Sequence, residues 1–141
     1  MKKPLRPKWI FYTGLALLGV AILVLCSLIQ STEAPQQGEY YYSSFIRNNY
    51  TLLSNIIFVI TAFVIGYYTD LNPLVAGLCL FLVFPITSIV EGTIYKGSHN
   101  LIPFEFVMHL IMALPTVIAG YIGKFTRKKM RKNEYQEQTE V

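Results

Sequence analysis

Charge is scarce in this sequence. Asp, Glu, Lys and Arg make up 14% of its 141 residues, against about 25% in a soluble domain. Between Trp9 and Ile29 there is no charged residue at all. An ordinary soluble helical bundle is therefore excluded, because each of its helices must carry a polar face. Cysteine is nearly absent. Cys26 and Cys79 are the two, and no CxxC occurs, which removes thiol–disulfide exchange of that kind. Both sit in apolar blocks at different depths, too far apart for disulfide geometry, and are expected to be small apolar packers. HExxH, GxSxG and a phosphate-binding glycine loop are all missing, so no recognised hydrolase or nucleotide-binding chemistry is indicated. No internal repeat is found, which argues against an inverted-repeat transporter built within one chain.

What is present is apolar and arranged in blocks. Hydrophobic residues make up 53% of the chain, and the length is that of one domain. Four blocks run over about 9–29, 52–68, 74–90 and 101–122. At about 1.5 Å per residue, about 20 residues cross the roughly 30 Å of hydrocarbon. The first block follows Lys2, Lys3, Arg6 and Lys8, as a signal peptide would. It is too long for a signal core and lacks a clean small-x-small site, so an uncleaved anchor is expected. The second and third blocks are short and require little tilt or snorkelling flanks. Asn72-Pro73 opens the third block, which contains Pro85, and the fourth contains Pro115. Membrane helices tolerate such prolines, usually with a kink.

Orientation follows from where the basic residues fall. The net charge is +4, but Lys and Arg concentrate at residues 1–8 and in Lys124, Arg127, Lys128, Lys129, Arg131 and Lys132. The connections between blocks hold only Arg47 and Lys96. The positive-inside rule then puts both ends in the cytoplasm. Basic ends flanking apolar blocks suit an anionic membrane face and do not imply nucleic acid. Trp9, Tyr12, Tyr41, Tyr67, Tyr95 and Tyr121 fall at the block ends, the interface depth these rings prefer. The segment YYYSSFIRNNY is expected to lie on the membrane surface, with a ligand-binding hairpin as the lesser alternative. The tail 124–141 is basic, then polar, and is expected to be disordered.

One polar cluster stands out. An ionisable group inside a span is costly and marks a candidate site. Glu91 ends the third block. Glu105 and His109 lie four apart in the fourth, on one helical face with Met112, Thr116, Gly120 and Gly123. Asn55 shares a face of the second block with Thr51, Ala62 and Gly66. With antiparallel spans, Asn55, Glu91, Glu105 and His109 all fall in the outer half, and His99 can hang over them. Three roles stay open. The carboxylates can sit at the headgroup level in a structural role, Glu105 being favoured by the helix N-terminus at Pro103. Carboxylates and an imidazole can form a proton relay. Glu91, Glu105, His109 and His99 also offer the nitrogen and oxygen donors a divalent metal takes.

The sequence thus implies an all-α membrane protein. Four transmembrane helices form an antiparallel bundle over residues 9–123, with both termini cytoplasmic, in a cell membrane. No cofactor is required. The expected partners are the lipid bilayer and a second copy or another membrane protein; a carrier in particular would be oligomeric, because four helices alone enclose little space. Small size, small-residue faces and the missing catalytic motifs favour an accessory or partner-binding subunit over an enzyme. The alternative is a proton- or ion-coupled carrier, or a metal site, using Glu91, Glu105 and His109.

Overall fold

A computed structural model describes residues 7–33, 35–38, 40–96 and 102–139. These residues form six helices and no strand: α1 (Lys8–Gln30), α2 (Tyr41–Asn49), α3 (Leu52–Tyr68), α4 (Pro73–Leu80), α5 (Val83–Ile94) and α6 (Ile102–Thr139). By length and composition, α1 and the 103–133 stretch of α6 can each cross a membrane. The other helices fall into two bent pairs, α2 with α3 at 77° and α4 with α5 at 47°. Counting each pair as one crossing gives up to four.

Both bends have local causes. The third block was expected to be one helix over 74–90, but it breaks at Phe81 and Leu82. Pro85 has no N–H to give the Phe81 carbonyl four residues back. That carbonyl takes the Phe84 N–H instead, at 3.1 Å, and the tighter turn redirects the chain. Asn72 starts α4 by accepting the Leu74 N–H at 3.0 Å, with Pro73 at the first helical position, where a proline costs nothing. The aromatic segment before α3 is a helix and not a hairpin. Tyr50 and Thr51 leave helical geometry between α2 and α3, and the chain turns there.

Contacts at the two ends fix the up-and-down order. At one end Gln30 donates to the Thr51 hydroxyl at 2.9 Å, tying the close of α1 to the α2–α3 corner. At the other, the Asn72 N–H donates to the Tyr12 hydroxyl at 3.4 Å. There Arg127 also donates to the Thr69 carbonyl and to Asp70, each at 2.9 Å. Lys8 at the start of α1 and the basic stretch around Arg127 therefore belong to the end holding the α3–α4 connection. Trp9, Tyr12, Tyr67 and Tyr121 lie toward this end, while Tyr41 and Tyr95 flank the opposite one.

The core is a set of narrow seams. Ser54, Phe58, Ala62 and Gly66 form the buried face of α3, repeating every four residues. They meet the Ala113, Thr116, Gly120 and Gly123 stripe of α6. A methyl on Gly66 would come within 2.1 Å of the Gly120 carbonyl oxygen, and one on Gly123 within 2.2 Å of that of Phe63. Only glycine permits this approach, and such backbone proximity is how helices associate where lipid supplies no hydrophobic drive. The outward faces stay apolar: only 28% of the apolar stretch of α1 and 33% of that of α6 is buried. Leu28 (70% exposed) and Leu52 (78% exposed) are among many such residues. Apolar side chains exposed along whole helices are not the surface of a soluble monomer, which shows them in small patches.

The tail departs from expectation. Residues 124–139 are helical, a direct continuation of α6 rather than a disordered segment. At 38 residues, α6 is about 57 Å long, well beyond the roughly 30 Å of hydrocarbon. Its basic part therefore extends past any span.

The glycine seam yields a prediction. Gly66→Leu forces α3 and α6 apart and lowers stability by about 1–3 kcal/mol, read as a drop in unfolding midpoint in detergent. Gly14, where an added methyl meets nothing within 4 Å, accepts alanine with no loss.

Candidate binding recess beneath helix α2

The site begins with a carboxylate in an unfavourable place. Glu91 lies in the last turn of α5, where that helix's own dipole is negative, and it is 0% exposed. A buried carboxylate needs several donors. The first turn of α2 supplies two: the Tyr42 N–H donates to one carboxylate oxygen and the Ser43 N–H to the other, at 3.2 Å in the second case. Glu91 therefore caps a helix 49 residues away in sequence. It answers amides that the nine-residue α2 cannot satisfy itself. The entry to α2 is shaped for this. Tyr40 adopts the left-handed conformation at φ 66°, which costs a bulky residue about 1–2 kcal/mol and turns the next amides toward Glu91.

A second tie holds the other end of α2. Tyr50 donates its hydroxyl proton to the Met112 carbonyl at 3.3 Å and accepts from Asn55 Nδ2 at 2.8 Å. Its ring packs edge-on against Phe81 and Phe84, with centroids 5.4 Å away in each case. Phe58 and Phe81 complete the cluster at 5.0 Å. Pro115 cannot bond the Ile111 carbonyl, and Met112 is the next residue along that weakened turn of α6.

Held at both ends, α2 covers a cavity of about 240 Å³. Ser43, Ile46 and Arg47 come from α2, Phe84, Thr87 and Ser88 from α5, and Glu105, Met108, His109 and Met112 are among those from α6. The Thr87 hydroxyl bonds the Val83 and Phe84 carbonyls of its own helix. The His109 ring stands 5.8 Å from Phe84 and 6.4 Å from Phe106, centroid to centroid.

The sequence-derived cluster is thus divided. Glu105 and His109 share the cavity as their four-residue spacing implies. Glu91 is engaged by α2, and Asn55 donates to Tyr50, whose hydroxyl in turn reaches α6. Among the described residues, no three His, Cys, Asp or Glu side chains gather as a metal-holding group. His99 lies outside the described residues. Cys26 and Cys79 are both free thiols. Two residues escaped the sequence reading. Tyr50 looked like one more interfacial ring, and Arg47 looked like a stray charge in a loop. The available signal was their placement on either side of Asn48-Asn49, in the segment that becomes a helix.

No protein-family model, no curated protein and no solved structure matches this chain. Its reading therefore rests on its own geometry.

Removing the cap tests that geometry. Glu91→Ala leaves two amides of α2 without their carboxylate and should cost about 1–3 kcal/mol. Glu91→Gln, which keeps one acceptor oxygen, should cost less. The check is the unfolding midpoint of each variant in detergent.

Proposed function

We propose that the chain is a multi-pass protein of the cell membrane that crosses the bilayer four times with both ends in the cytoplasm. In this reading each bent pair is one crossing. It works by binding at its outer end, as an accessory or partner-binding subunit. The observation that carries the reading is the recess under α2, at the end of the bundle remote from the basic tail. Its walls mix a guanidinium, a carboxylate, an imidazole and hydroxyls with aromatic and thioether side chains, the composition of a binding pocket. Six basic residues between Lys124 and Lys132 support a cytoplasmic placement of the opposite end. With the buried carboxylate Glu91 engaged by backbone amides, binding is favoured over a proton relay through that residue. A carrier would also have to open its site to both sides, and the glycine seam between α3 and α6 packs the basic half of the bundle closely.

Topology and transport are tested separately. In a background with Cys26 and Cys79 replaced by alanine, Gln37→Cys should react with a membrane-impermeant maleimide on intact cells. Lys129→Cys should react only after lysis. Labelling of Lys129→Cys from outside would overturn the orientation. Proteoliposomes should show no proton or cation flux above empty vesicles, and flux lost on Glu105→Gln would replace binding by carriage.

A further inference from the structure

Two polar groups on the recess wall have no partner among the described residues. Arg47 is exposed, and its guanidinium makes no hydrogen bond or ion pair with any described residue. Ser88 is 2% exposed and lines the cavity, and its hydroxyl bonds no described residue. A guanidinium that lines the same cavity as buried and half-buried hydroxyls suits an oxyanion, phosphate above all. Ser43 adds a hydroxyl from α2. The α6 wall carries opposite chemistry. Glu105 places a carboxylate there, with His109 one turn on, which repels a multiply charged anion and attracts a cation. A primary ammonium, with three N–H donors, hydrogen-bonds a carboxylate and hydroxyls; a quaternary ammonium, which has no N–H, makes no such bonds.

The rest of the lining is apolar. Phe84, Phe104, Met108 and Met112 bound the cavity, and Phe104 and Met108 are 63% and 43% exposed. The volume, about 240 Å³, falls below the roughly 300–1,000 Å³ that encloses a whole drug-sized ligand. It accommodates a polar head and leaves an apolar tail to run out past Phe104 and Met108. Resting on the binding reading above, we infer that the recess takes the headgroup of a phosphate-bearing zwitterionic lipid with a primary ammonium, of the phosphatidylethanolamine kind. Arg47 and Ser88 hold the phosphate, and Glu105 faces the ammonium.

The test uses the full chain purified in detergent, with native mass spectrometry and competition among short-chain lipids. The wild type should bind dihexanoyl phosphatidylethanolamine more tightly than the glycerol or choline lipid. Arg47→Gln should weaken every phosphate lipid by about tenfold or more, with the unfolding midpoint unchanged. Glu105→Gln should bring the ethanolamine and glycerol lipids to within about threefold of each other while both still bind. Equal affinity for the three lipids, or unchanged binding by a folded Arg47→Gln, overturns the inference. Phosphorylethanolamine alone competing as well as the lipid would overturn the lipid assignment and leave a soluble zwitterion. Binding in detergent does not depend on orientation. A failed lipid test together with outside labelling of Gln37→Cys would therefore leave the proposed function standing.

Discussion

Everything at one end of this bundle depends on a carboxylate held by the N-terminus of another helix. Glu91 is carried on α5 but answers the amides of α2. Taken alone, each partner is unfavourable: a buried acid at a helix C-terminus, and a short helix with open amides. Together they cancel. The pairing also decides geometry, because it lays a polar helix of modest length across the bundle instead of letting it drift in the interface. Without it, Ser43, Ile46 and Arg47 would have no fixed relation to α5 and α6, and the recess beneath them would have no roof.

The two halves of the molecule solve different problems. Toward the basic end, backbone meets backbone through Gly66, Gly120 and Gly123, and along this seam the two helices pack too tightly to leave room for a ligand. Toward the other end, the chain bends at Phe81–Leu82 and at Tyr50–Thr51, and aromatic rings fill the wider space. The bends open the bundle where α2 enters it. The recess at that end and the close α3–α6 seam at the other are consequences of where the small and the aromatic residues fall.

The extent to which this was legible beforehand follows from the range of the interactions. Local signals read well. The second apolar block matches α3 at both bounds, and the first differs from α1 by one residue at each end, because the uncharged run itself sets the extent of each helix. The small-residue stripe on α6 was visible as periodicity. Pro85 was visible, yet its effect lies a turn earlier, at the carbonyl it leaves free. The tail looked disordered by composition, but it continues a helix already nucleated upstream, and propagation costs less than nucleation. The partner of Glu91 could not be read at all. Nothing in YYYSSFIRNNY marks two backbone amides as an anion site, since the feature resides in the main chain and not in any side chain. Arg47 and Ser88 become a pair only once α2 and α5 are set side by side.

The account stands or falls on that cap, and amide hydrogen exchange reads it directly. The Tyr42 and Ser43 amides should exchange as slowly as the interior of α2, and Glu91→Ala should release both while the amides of α3 keep their protection. Rapid exchange of Tyr42 and Ser43 in the unaltered protein would contradict it, since α2 would then be held by something other than Glu91.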